Sequence, residues 1–209
     1  QLAHAGRKAS VTPPWDGGNP IPVGDGRWEV LAPSDEPYPH PEGEPVATRA
    51  MTADDMARVR EQFRLAAERA RDAGFQIAEI HLAHGYLLHE LLFSYEREDS
   101  KYGGSYENRT RFLKETIREI TEEVPDLTVT TRLNVYDGVP YPWGWGMAED
   151  GSTDWDLSEP IRLIEELADL GVPLINLAIG NPYHNPDLER PADQPPAGQP
   201  LPDSHPLAS

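Results

Sequence analysis

The sequence predicts an α/β fold, a (β/α)8 barrel that is incomplete, with about four central βα units present. Three observations predict it. Short β-type runs alternate with stretches of helical period, which implies parallel strands joined by right-handed crossovers. Polar residues gather at the C-terminal end of each strand, the rim on which barrel enzymes build their sites. The rival doubly wound sheet expects a G-x-G-x-x-G turn after a strand, and the chain contains none.

Taken in order, Gln1 to His4 reads as a strand, with His4 and Arg7 at its end. A helix is predicted from about Thr52 to Ala73, because Met56, Val59, Phe63, Ala66 and Ala70 recur at steps of three and four. Thr52 and Asp55 form a capping-box-like start, and Gly74 is a natural stop. Gln76 to His81 is short and glycine-bounded, hence a strand, with Tyr86 opening the next helix. A helix beginning near Ser105 carries Phe112, Leu113, Ile117, Ile120 and Val124, breaks at Pro125, and leads into the β-branched run Thr128 to Leu133. A third helix after Ser158 carries Ile161, Ile164, Leu167 and Leu170, stops at Gly171, and precedes a strand from Leu174 to Ile179. Rim positions near these last strands hold Arg132, Asn134, Asn176 and Asn181.

The whole of residues 1–209 is read as one partial barrel domain. Residues 11–50 are rich in proline and glycine and read as a long loop, placed as a lid over the rim; 181–209 read as a proline-rich loop. Composition narrows the chemistry. The chain has no cysteine, which removes disulfides, thiolate metal sites and cysteine nucleophiles, so histidines and carboxylates must act. A formal net charge of −18 repels a phosphate backbone, so no nucleic-acid partner is expected. No run approaches the roughly 18 apolar residues of a membrane span, and Gln1 to Ser10 lack a signal-peptide layout. The expectation is a cytoplasmic protein without a membrane partner.

Alternation along the second strand sets Ile77, Glu79 and His81 on one face and Ala78, Ile80 and Leu82 on the other. The apolar set suits a helix-packed exterior, which turns Glu79 and His81 inward, where an ionisable group needs a partner or a task. His84 follows the strand, and Gly85 lets the chain turn before Tyr86, so His81, His84 and Tyr86 converge on one spot. A hydrogen-bonded packing role competes with this reading. So does a metal site, although His81 and His84 lack H-E-x-x-H spacing. Paired carboxylates for glycoside hydrolysis do not stand out at neighbouring strand ends.

Three segments carry a resemblance: Gln1-Leu2-Ala3-His4-Ala5-Gly6-Arg7-Lys8; Glu79-Ile80-His81-Leu82-Ala83-His84-Gly85-Tyr86-Leu87-Leu88-His89; and Tyr102-Gly103-Gly104-Ser105-Tyr106-Glu107-Asn108-Arg109. Together with Arg132, Asp137-Gly138-Val139-Pro140 and Ile179-Gly180-Asn181-Pro182-Tyr183, the chain resembles Old Yellow Enzyme-like NADH:flavin oxidoreductases (the NADH oxidase family) over nearly its whole length. The resemblance implies FMN as cofactor and NADH or NADPH as reductant, with Gln1 on the pyrimidine edge of the flavin and Arg132 beside its N1 and O2. It implies that His81 and His84 bind the carbonyl or nitro oxygen of a small-molecule substrate, and that Tyr86 donates a proton during reduction of an activated alkene. A homo-oligomer of the full-length protein is compatible with the sequence.

Tyr102 to Arg109 reads as a structural turn and cap, whereas Trp143 and Trp145 either wall the substrate site or pack. Leu91 to Ser100 departs from the family's usual stretch with Pro and Asn or Arg, which leaves the substrate unassigned. The family's flavin-phosphate loops belong to strands beyond those counted here. A non-catalytic barrel remnant and an unrelated barrel hydrolase remain the alternatives.

Overall fold

The computed structural model describes residues 1–22, 24–36, 46–93, 101–181 and 188. Its first paired strands are β1 (Val30–Ala32) and β2 (Thr48–Ala50), which run parallel to each other. They lie within 11–50, so that segment is not the plain loop the sequence suggests: Val30, Ala32 and Val46 are buried there. Of the second expected loop, 181–209, only 181 and 188 belong to the described residues.

Helix α1 (Ala53–Asp72) begins with the expected capping box, in which Asp55 N–H donates to Thr52 Oγ1 at 3.2 Å and Thr52 N–H donates to Asp55 Oδ2 at 2.9 Å. Arg49, 2.6 Å from the same carboxylate, holds Asp55 well below the usual carboxylate range. The helix buries Met56, Val59 and Phe63 as expected, then Ala67 in place of Ala66 and Ala70. Gly74 ends it at φ +90.

Beyond it come β3 (Ile77–Leu82), the short α2 (Leu87–Leu92), α3 (Tyr106–Glu123), β4 (Thr128–Tyr136), α4 (Ser158–Asp169) and β5 (Ile175–Ile179). Strand β4 continues past Leu133 to Tyr136 because β5 keeps pairing with it across a shift in register between Asn134 and Tyr136. The sheet order is β3-β4-β5, all parallel. Gln1 to His4, expected as a strand, contributes one bridge: Leu2 N–H donates to Glu79 O at 2.8 Å and Leu2 O accepts from His81 N–H at 2.9 Å. Spatial order thus follows chain order without the reversal of a doubly wound sheet. With right-handed crossovers, such winding lays every helix on one face and bends the sheet into a barrel wall.

The core fills the space between that face and the helices. Ile80, Leu82 and Leu133 of the sheet join Val59 and Phe63 of α1, Phe112 and Ile117 of α3, and Leu163 and Leu167 of α4 in one buried cluster. Trp145 is fully buried, stacked on Tyr106 with ring centroids 6.5 Å apart, so it packs; Trp143 stands half exposed. Among the described residues no helix is long and apolar enough to cross a membrane.

Candidate active site

Parallel register places His81, Arg132 and Asn176 at one level on three neighbouring strands, on the face turned away from Ile80 and Leu133. One level below, Glu79 accepts from Gln1 Nε2 at 2.6 Å and from Asn176 Nδ2 at 3.3 Å. Glu79, which points inward, therefore finds amide partners on two other segments.

After β3 the chain turns through two successive left-handed residues, His84 at φ +63 and Gly85 at φ +69. Histidine is among the residues that tolerate this region. Gly85 is required twice over, since a Cβ there would meet Asn181 Nδ2 at 2.7 Å and Lys8 Nζ at 3.0 Å. The turn brings the predicted trio together: the His81 ring lies 5.3 Å from that of His84 and 5.0 Å from that of Tyr86. Tyr86 is the N-cap residue of α2, as its place before that helix suggested.

Lys8 belongs to this cluster, and sequence reasoning assigned it nothing. It sits buried in the 3-10 turn Gly6–Lys8, donates from Nζ to His84 O, and stands 5.0 Å from the centre of the Tyr86 ring. The only signal in the sequence is its place within the quoted Gln1 to Lys8 segment. Three other rim residues bond within the protein. His4 Nδ1 accepts from Gly6 N–H at 3.1 Å, Arg7 reaches Ser34 Oγ and Glu36 O, and Asn134 donates to Gly180 O.

Electrostatics keep both histidines neutral. Burial, and secondly the Arg132 cation, depress His81 and His84 from their ordinary 6.5 to about 4. A neutral imidazole has one N–H to donate, so the pair can hold an oxygen atom without becoming cationic itself. His81 Nδ1 and Arg132 Nε are buried and have no hydrogen-bond partner among the described residues.

A pH dependence follows. In the unfolded chain these imidazoles take up protons near pH 6.5, but in the fold only near pH 4. Their contribution to stability is complete above the unfolded value and is lost as pH falls from about 6.5 toward 4. A histidine proton NMR titration should show His81 and His84 unprotonated down to about pH 5; midpoints near 6.5 would contradict the electrostatic reading.

Comparison with known proteins gives a consistent result. The family model described as "NADH:flavin oxidoreductase / NADH oxidase family" matches residues 1–169. An NADH:flavin oxidoreductase of Gibberella zeae is 36% identical over 186 residues, covering 86% of this chain and 44% of its own length. An NADPH dehydrogenase of Bacillus subtilis is 36% identical over 188 residues, covering 88% and 46%. The chain spans less than half the length of these relatives. Among solved structures, a histamine dehydrogenase from Rhizobium superposes with a TM-score of 0.65 at 28% identity, covering 87% of this chain and 23% of that one. The old yellow enzyme homologue of Zymomonas mobilis, at 24% identity, shares the fold with a TM-score of 0.62, covering 86% and 46%. The architecture is that of a (β/α)8 barrel, of which this chain supplies part.

Proposed function

This chain belongs to the NADH:flavin oxidoreductase / NADH oxidase family, and from that premise we propose that the full-length protein uses FMN and NADH or NADPH to reduce small molecules bearing an alkene conjugated to a carbonyl or nitro group. The observation that carries this reading is the convergence of two neutral imidazoles and a phenol beside Arg132, on the sheet face opposite the helices.

The residues present fit a flavin. Arg132 has a buried Nε without a partner among the described residues, and a cation at that position would favour the negative charge that reduction brings to the pyrimidine edge. Gln1, on the segment bridged to β3, offers an amide that can exchange Glu79 for a heterocyclic edge. When bound, FMN would supply hydride transfer, which no side chain here can perform.

The side chains divide the remaining work. His81 and His84 each donate one N–H to the substrate's oxygen and polarise the conjugated alkene. Their low basicity keeps them hydrogen-bond donors across the physiological range. Tyr86 delivers a proton to the carbon next to the carbonyl or nitro group, and general acid assistance of this kind is worth about 10²–10⁴ in rate. Lys8 holds the carbonyl of His84 and so fixes the turn that bears both groups.

The full-length protein tests this directly. It should purify yellow, bleach with NADPH or NADH in the absence of oxygen, and regain its flavin absorbance as 2-cyclohexenone is consumed. A protein that binds no flavin would overturn the reading in favour of a non-catalytic barrel. One that bleaches but leaves conjugated enones and nitroalkenes unreduced would confine it to flavin reduction.

A further inference from the structure

We propose that His89 is a positioning residue, which as a neutral ring protonated on Nε2 clamps the peptide between His84 and Gly85 and so aims His84 and Tyr86 at the substrate. The proposal rests on the functional reading above for its consequence, though not for its geometry. His89 lies on α2, fully buried, and has no part in the chemistry so far described.

The Gly85 N–H donates to His89 Nδ1 at 2.8 Å. A backbone N–H can only donate, so Nδ1 must be bare and the proton of the neutral ring must sit on Nε2. Nε2 is 3.1 Å from Asp137 Oδ1, with its N–H axis turned aside from a good hydrogen bond, and the nearby carboxylate favours a proton on that nitrogen. Asp137 is itself buried and tied down: Oδ2 accepts from Trp145 N–H at 2.8 Å and Oδ1 from Asn134 Nδ2 at 2.8 Å. Asn134 also holds Gly180 O beyond the end of β5. Asp137 and Asn134 together thus link the segments that follow β3, β4 and β5.

The clamp acts on one peptide plane from both sides. Lys8 Nζ takes the carbonyl of His84, and His89 Nδ1 takes the N–H of Gly85. A peptide unit is planar, so fixing both polar ends fixes its orientation. That orientation sets the left-handed conformations at His84 and Gly85, and with them the directions in which His84 and Tyr86 project. Release of the N–H end would let the plane rotate and spoil the alignment of donors around the substrate oxygen, while Gln1 and Arg132 stay in place.

The test uses the full-length protein with 4-chlorophenol, whose phenolate gives a long-wavelength charge-transfer band on oxidised flavin. His89→Leu should keep its FMN, bind 4-chlorophenol about tenfold more weakly, as loss of one hydrogen bond predicts, and exchange the Gly85 amide faster. His89→Asn, whose side-chain oxygen can replace Nδ1 as acceptor, should recover most of the affinity and protection. Equal losses in the two variants, or wild-type behaviour in His89→Leu, would overturn the clamp and leave a packing role. Should His89→Leu fail to fold, imidazole ¹⁵N shifts of the wild-type protein decide: a proton on Nδ1, or a charged ring at neutral pH, refutes the proposal. Absence of the band in the wild-type protein would instead sink the functional reading, and with it the consequence for substrate; the ¹⁵N shifts and Gly85 exchange would still judge the clamp.

Discussion

With both His81 and His84 replaced by alanine, the full-length protein is expected to keep its FMN and lose affinity for a phenolate ligand by about 10²–10⁴, since each hydrogen bond to a charged group is worth about 1.5–3 kcal/mol. The two rings lie 5.3 Å apart at their centres, so one small oxygen can take a bond from each. Both are neutral, because burial and the neighbouring Arg132 hold them near 4, so their effect lies in directed N–H groups and not in net charge. Salt should therefore change the affinity little, whereas the substitutions change it greatly. The intensity of the charge-transfer band during titration with 4-chlorophenol measures the loss, and flavin absorbance per chain shows that the cofactor remains. A double variant that binds phenolate within threefold of wild type would remove these residues from the site.

The helices and strands that were legible in the sequence are those with strong local causes. Helix α1 announces itself through a capping box, an apolar stripe and a terminal glycine, and each of these appears in the structure. The pairing of β1 with β2 was hidden because each has only three residues, in a stretch whose proline and glycine content masks any period of two. Gln1 to His4 has strand-like composition, yet among the described residues its ladder reduces to a single bridge on Ile80. For the site, His81, His84 and Tyr86 are near one another along the chain, and alternation with a glycine turn suffices to bring them together. Lys8 and His89 escaped attention for the opposite reason. The His84 partner of Lys8 and the Asp137 neighbour of His89 come from distant segments, and a histidine within Leu87-Leu88-His89-Glu90-Leu91-Leu92 reads as one polar interruption of a core helix. Only tertiary packing reveals that it faces Gly85 on one side and Asp137 on the other.

Arg109 should prove a stability residue without influence on ligand binding, in line with reading Tyr102 to Arg109 as a structural turn. Its guanidinium is almost wholly buried and donates to Leu92 O, to Gly104 O at 2.8 Å and to Glu159 Oε1 at 2.7 Å, while its centre lies 5.6 Å from that of the Trp145 ring. One side chain thereby joins the end of α2, the turn before α3 and the first turn of α4. Arg109→Ala leaves the buried Leu92 carbonyl without this donor, at about 1–3 kcal/mol, and the part-buried Gly104 carbonyl at less. It also removes a desolvated cation–π contact worth up to about 2 kcal/mol. The ion pair adds little, because Glu159 is partly exposed and solvent screens it. A loss of about 3–5 kcal/mol is expected, which at about 1 °C per kcal/mol, the scale for a protein of roughly 400 residues, lowers the thermal midpoint by about 3–5 °C. Arg109→Lys should recover little of this, since an ammonium cannot reproduce the planar fork that serves three acceptors at once. Below its midpoint the alanine variant should still bind 4-chlorophenol as wild type does, for none of the contacts above involves His81, His84, Tyr86 or the Gly85 turn. Thermal denaturation of the full-length protein and a phenolate titration at low temperature check both halves: an unchanged midpoint, or lost ligand binding at an unchanged midpoint, would move Arg109 from the scaffold into the site.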